Sequence, residues 1–216
     1  MGLAAREEGL PWVLYANNIT TTKAFALCFR EQGGLMTLGG VDTTIHDSKT
    51  TYVELKNNSK GFYAVYLHDI LLRSPKDNST ASIGVSPLQL NSGKGIIIDS
   101  GTTDTYFPTI TKSNFLKQFY KITSLHYSSG VTVHKSKLVS HLLPSIVYRF
   151  QGSDGNPVDI ERPWSSYTEV TSDGFLAFRI YLKEHSGVVL GANFMNNMNV
   201  IFDIERKVIG MANSHC

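Results

Sequence analysis

Short alternating and β-branched runs dominate the chain. Tyr52-Val53-Glu54-Leu55 alternates, and Phe62 to Leu67 continues as a longer strand toward Leu72. Leu35 to Leu38 reads as a strand closed by a turn at Gly39-Gly40. Further strands are predicted at Ile96 to Ile98, Ser145 to Phe150, Phe175 to Leu182, Val188 to Leu190, Asn199 to Phe202 and Val208 to Met211. Polar stretches with Gly, Pro or Asn, such as Arg73 to Thr80 and Gln151 to Pro157, separate them. One helix stands out after Pro108. The segment Thr111 to Thr123 puts Phe115, Leu116, Phe119 and Ile122 at i, i+1, i+4 and i+7. A second, weaker helix is read around Trp12 to Ala16. Many short strands, few helices and no internal repeat argue a mostly β fold.

Composition narrows the function classes. The 216 residues are 42% hydrophobic and 18% charged, which describes a globular chain with enough apolar material for a core. A net charge of +2 with scattered basic residues gives no reason to expect nucleic acid as a partner. No apolar stretch approaches the roughly 20 residues that span a bilayer. Arg6, Glu7 and Glu8 interrupt the first ten residues, so these are not a signal peptide. The chain is therefore either cytosolic or a segment whose targeting sequences lie elsewhere. Three Asn-x-Ser/Thr sequons, at Asn18, Asn57 and Asn78, favour the second reading. Cys28 and Cys216 stand near the two ends; two separate thiols and a disulfide both remain open at this point.

The chemistry concentrates in Gly95-Ile96-Ile97-Ile98-Asp99-Ser100-Gly101-Thr102-Thr103. A β-branched run delivers a carboxylate onto a tight turn, Gly101 permits close backbone approach, and Ser100 and Thr102 set hydroxyl donors beside the carboxylate. Asp-Ser-Gly is also ordinary turn chemistry. Rival chemistry is weak. The seven histidines show no metal-ligand spacing, no Gly-x-Ser-x-Gly elbow exists, and Gly93-Lys94-Gly95 lacks the rest of a phosphate loop. The aromatic run at Tyr63 and Tyr66 reads as sheet packing.

The Asp99 segment resembles the Asp-Ser/Thr-Gly-Ser/Thr catalytic loop of the pepsin-like aspartic proteases, in its second-lobe version with an apolar lead-in. Val188-Val189-Leu190-Gly191 resembles the strand that threads across this loop, the psi structure of each lobe. Asn199 to Asp203 and Lys207 to Ala212 resemble the family's closing strands, and Leu142-Leu143-Pro144-Ser145-Ile146 the opening of another strand of that lobe. Leu38-Gly39-Gly40-Val41-Asp42 resembles the region joining the two lobes. The resemblance implies one lobe of the bilobal pepsin-like fold: residues 1–40 as the tail of the N-terminal lobe and the connection, residues 41–216 as the C-terminal catalytic lobe. Cys28 and Cys216 resemble a pair bridged in the memapsin (beta-secretase) branch and in protist enzymes such as plasmepsin V. Such a bridge is valued at about 5 kcal/mol by the chain-entropy model and implies an oxidising compartment, so a secreted or membrane-linked protein of the secretory pathway.

In that family two aspartates share one proton and hold a water between them, because two close carboxylates are not both ionised cheaply. The ionised one deprotonates the water, and the protonated one polarises the peptide carbonyl. The resemblance assigns Asp99 as the second-lobe aspartate. Ser100 is implied to tie the two catalytic loops, Gly101 and Thr102 to support the carboxylate, and Thr103 to contact substrate. Val189, Leu190 and Gly191 are implied to form the psi strand. No cofactor and no metal are implied; the partners are a peptide or protein substrate and a first lobe. That lobe's Asp-Thr-Gly has no counterpart here, and Asp203 reads as a structural turn residue. Met1-Gly2-Leu3-Ala4 resembles the tail of the first lobe's psi strand, so the chain is expected to begin in mid-lobe, with a membrane anchor beyond Cys216 left open. An isolated chain is then expected to be silent. The alternatives are a binding half that needs a separate first-lobe chain and a homodimer, as in retroviral proteases, pairing two Asp99 side chains across a two-fold axis.

Overall fold

The computed structural model describes residues 2–57, 60–130, 132–134, 143–171 and 173–216. Met1, Asn58, Ser59, His141 and Leu142 lie outside the described residues, and with them parts of the Asn57 sequon and of the Leu-Leu-Pro motif.

The first third of the chain forms α1 (Leu10–Ala16), β1 (Ala24–Arg30), β2 (Gly33–Leu38), β3 (Thr51–Glu54), β4 (Tyr63–Val65) and β5 (Leu67–Arg73). The middle adds β6 (Thr80–Ser82), α2 (Pro87–Leu90), β7 (Ile96–Ile98), β8 (Thr105–Pro108), α3 (Lys112–Thr123), β9 (Thr132–His134), β10 (Ser145–Gln151) and β11 (Pro157–Arg162). The last part holds β12 (Thr168–Val170), β13 (Phe175–Phe178), β14 (Ile180–Glu184), β15 (Val188–Leu190), α4 (Ala192–Met195), β16 (Met198–Asp203) and β17 (Val208–Asn213). The fold is mostly β, as the alternating runs require.

Four sheets share one core. The order β2-β1-β16-β17-β3 is antiparallel throughout and joins the chain's last hairpin to β1 and β2. The order β14-β8-β15-β7-β4 is mixed, and smaller sheets β11-β10-β5-β6 and β12-β13-β9 flank it. Phe25 of β1 stacks on Phe202 of β16 with ring centroids 4.6 Å apart, and Tyr63 of β4 leans on both. Offset aromatic pairs of this kind add to the area they bury, which fixes the first sheet against the second. Phe115 and Phe119 of α3 are buried against Tyr127, as the helical spacing foresaw.

The structure departs from the expected strands where the chain changes sheets. Phe62 to Leu72 is two strands: β4 pairs with β7, and after Tyr66 the chain enters β5, which pairs with β10. The Tyr66 carbonyl accepts from Gln151 N–H, so the break keeps its backbone bond. Phe175 to Leu182 likewise divides at Arg179 into β13, paired antiparallel with β12, and β14, paired parallel with β8. The unforeseen β1 is buried on both faces from Ala24 to Cys28 and carries no alternation. The unforeseen β11 is a charged strand paired, among the described residues, only with β10. Asp203 closes the β16–β17 turn by accepting from Arg206 N–H at 2.9 Å.

A disulfide joins Cys28, in β1, to Cys216, with Cα atoms 6.2 Å apart and a separation of 188 positions in sequence. Beside it, the stretch after β2 is fastened to the end of β17. His46 pairs with Ser214, Asp47 N–H donates to the Asn213 carbonyl, and His215 Nδ1 lies 2.7 Å from Asp47 Oδ1. Asn199 Nδ2 donates to His46 Nε2 at 2.9 Å, so Nε2 is the unprotonated nitrogen and Nδ1 faces Thr50 Oγ1 at 3.3 Å.

Protonating Nε2 would set two donors against each other. Burial also pushes the His46 imidazole below its ordinary value, against the opposing fields of Asp42 and Asp47. The unfolded chain then holds the His46 proton more readily than the folded one. This contribution to stability is present above the unfolded value of 6.5 and is lost as the pH falls through the folded one. In thermal melts taken across this window, His46→Gln is expected to show a flatter acid-side decline in Tm than the parent. Parallel declines would remove His46 from the account.

Candidate active site

Three isoleucines with both faces covered carry the chain into the site. Ile96, Ile97 and Ile98 are 0%, 3% and 3% exposed, and β7 lies between β4 on one side and β15 on the other. Its pairing with β15 is parallel, Val188 to Ile96, Val189 to Ile97 and Leu190 to Ile98. The next N–H, that of Asp99, donates to the Leu190 carbonyl at 2.9 Å, so the ladder ends on the aspartate itself.

The chain then turns tightly, Thr102 N–H donating to the Asp99 carbonyl at 3.2 Å. The turn supplies a donor to each carboxylate oxygen. Gly101 N–H donates to Oδ1 at 3.0 Å, and Thr102 Oγ1 donates to Oδ2 at 2.7 Å. These bonds hold the half-buried carboxylate in one orientation. A Cβ at Gly101 would stand 3.2 Å from Oδ1, a close contact with the carboxylate. Ser100 is half-buried, and its hydroxyl makes no hydrogen bond among the described residues. Thr103 is exposed, and its carbonyl faces away into the protein.

The strand Val188–Leu190 threads between β7 and β8 and leaves through Gly191. Ala192 N–H then donates to the Thr102 carbonyl at 2.7 Å, and Asn193 N–H to the Thr103 carbonyl at 3.0 Å. A Cβ at Gly191 would lie 2.3 Å from the Asp104 carbonyl oxygen and 2.6 Å from that of Thr102. The crossing is therefore closed to every side chain.

Asp99 faces two recesses. One, of about 380 Å³, is lined by Leu3, Phe25, Tyr63, Ser100 and Phe202. Tyr63 Oη donates to the Leu3 carbonyl at 2.6 Å and fastens the chain's first residues along its wall. The other, of about 370 Å³, is lined by Ile97, Thr102, Tyr106 and Val189, with the Lys94–Glu184 ion pair, at 3.1 Å, on its rim. Phe62, partly exposed, borders both. Tyr106 is stacked on Tyr181 with centroids 5.2 Å apart. Asp99 is the one aspartate lining either recess among the described residues. Among the described residues, no group of three or more His, Cys, Asp or Glu gathers in a metal-holding arrangement.

The structure thus brings together Asp99, Ser100, Gly101, Thr102, Thr103, Val189, Leu190 and Gly191. Asn18, Asn57 and Asn78 are exposed, and Cys28, bridged to Cys216 beyond β17, sits in the other five-stranded sheet. Phe62 and the amides of Ala192 and Asn193 were not foreseen as part of the site. The only signals for them were position: Phe62 directly before the Tyr63 run, and the amides directly after Gly191.

The model of the eukaryotic aspartyl protease family matches residues 7–214. Aspartic proteinase 3 of Saccharomyces cerevisiae is 24% identical over 98% of this chain and 36% of its own length. Secreted aspartic protease 4 of Candida albicans is 23% identical over 95% of this chain and 46% of its own length. Beta-secretase of Strongylocentrotus purpuratus is 26% identical over 85% of this chain and 36% of its own length. The chain therefore spans less than half the length of these relatives.

Gly191→Ala forces a methyl group into two backbone carbonyls and is expected to cost roughly 2–3 kcal/mol of stability. Urea unfolding measures it. A variant as stable as the parent would mean that the crossing is looser than its geometry.

Proposed function

The chain belongs to the eukaryotic aspartyl protease family, and on that premise we propose that it is the second-lobe half of an aspartic endopeptidase. The observation that carries this reading is the Asp99 carboxylate, held by Gly101 and Thr102 at the end of β7 and open to two recesses. A water bound between Asp99 and a first-lobe aspartate attacks the peptide carbonyl. One carboxylate takes the water's proton, and the other, protonated, polarises the carbonyl and passes a proton toward the leaving amine. Gly101 and Thr102 fix the carboxylate throughout. The Ser100 hydroxyl, without a partner among the described residues, ties the loop to its first-lobe counterpart, and Thr103 borders the substrate. Val189, Leu190 and Gly191 serve as the psi strand. No cofactor takes part.

The first lobe comes from the same parent protein or from a separate chain. In this scheme residues 1–40 belong to the first lobe and the connection, and residues 41–216 to the second. That division is one of origin: β1 and β2 are built into the sheet that holds the chain's last hairpin. The Cys28–Cys216 bridge, the three exposed sequon asparagines and the secreted relative support a place in the secretory pathway. The bridge, with the beta-secretase likeness, favours the memapsin-like branch.

The test is cleavage of a broad peptide mixture between about pH 3 and 7. It uses this chain alone, at two concentrations, and the chain mixed with a first-lobe chain bearing its own Asp-Thr-Gly. Silence alone and cleavage in the mixture are expected, with Asp99→Ala lowering the rate by about 10⁴-fold. Cleavage by the chain alone that rises more than linearly with concentration would replace this reading with a homodimer. No cleavage in any mixture would overturn it.

A further inference from the structure

The loop that carries Asp99 continues into a buried charge that its chemistry does not use. Asp104 is 7% exposed, and Arg179 Nε lies 2.9 Å from its Oδ1. Arg179 stands at the break between β13 and β14, 75 positions away in sequence. A buried carboxylate without a partner is costly, so this pairing fixes where residue 104 sits.

The backbone of Arg179 is tied as firmly as its side chain. Its N–H donates to the carbonyl of Tyr167 at 2.8 Å, and Tyr167, 2% exposed, anchors its own hydroxyl on the Pro144 carbonyl at 2.6 Å. The Arg179 carbonyl accepts from Asn193 Nδ2 at 3.0 Å and from Thr105 N–H at 3.4 Å. Asn193 closes the ring: its Oδ1 accepts from Thr105 Oγ1 at 2.7 Å, and its N–H donates to the Thr103 carbonyl at 3.0 Å. Residues 103, 104 and 105 are each bound to Arg179 or Asn193, while neither of these lines the recesses beside Asp99.

We propose that Arg179, with Asp104 and Asn193, is a positioning device for Asp99. It refers the catalytic loop to the packed core through Tyr167, on the side away from substrate. The proposal rests on the protease reading for its effect on rate but not for its effect on the loop. A displacement of about 1 Å at a reacting group costs on the order of 100-fold in rate, so loss of the device acts on kcat. Substrate is held by other groups, so KM stays near its parent value.

The experiment compares Arg179→Met, Arg179→Lys and Asp104→Asn with the parent. In this chain alone, amide hydrogen exchange is followed at Thr102, Ala192 and Asn193, with the amides of β10 as reference. In the mixture with a first-lobe chain, kcat and KM are measured separately. Arg179→Met is expected to speed exchange at the three amides about 10-fold or more with β10 unchanged. It should also lower kcat about 10- to 100-fold with KM within about threefold. Arg179→Lys should recover part of both, and adding Asp104→Asn to Arg179→Met should cost little more than either alone. Should Arg179→Met not fold, Arg179→Lys and Asp104→Asn carry the same comparison. Exchange that rises equally in β10, exchange unchanged at the three amides, or loss shared equally by kcat and KM would overturn the proposal. If the parent mixture cleaves nothing, the protease reading fails, and local exchange alone decides this one.

Discussion

Everything near the site depends on one strand pairing, that of Val188–Leu190 with Ile96–Ile98 in parallel register. Parallel strands cannot be joined by a tight turn, so the two segments come from distant parts of the chain. Their pairing ends with the Asp99 N–H on the Leu190 carbonyl. The aspartate's backbone is thus a member of the sheet, while its side chain belongs to a loop. Only that combination lets a carboxylate be rigid and open at once.

The constraint propagates in both directions. Downstream of Leu190, the chain must cross two carbonyls of the Asp99 loop, and a glycine is the only residue that passes. The amides that follow then satisfy those same stretches of backbone, which keeps a tight loop from burying unpaired carbonyls. Upstream, β7 is covered by β4, whose Tyr63 packs on Phe25 and Phe202. The site's floor and the sheet that carries the disulfide are therefore one packed body. Cys28–Cys216 and the His46 fastening close the far edge of that body and leave the Asp99 face open.

Much of the site was legible because its chemistry is local. Asp99, Gly101 and Thr102 lie within four positions, and their hydrogen bonds run within the loop, so the residue types alone report the geometry. The apolar triplets of β7 and β15 were equally plain, since both faces are covered. The strands at sheet changes were not. Tyr66 and Arg179 sit inside apolar runs that continue in sequence while the partner strand changes, and hydrophobic pattern carries no record of the partner. The uniformly buried β1 and the charged, half-paired β11 failed for opposite reasons, one having no polar face and the other little apolar one.

By itself the sequence determined a mostly β chain and a carboxylate on a hydroxyl-rich turn after an apolar strand. These follow from residue type and short spacing, which the backbone enforces locally. Only the tertiary structure decided that Phe62 borders both recesses and that Arg179 reaches under the loop to Asp104. Each of these joins residues far apart in the chain. Their approach is set by how four sheets share one core, and no local preference along the chain encodes that distance.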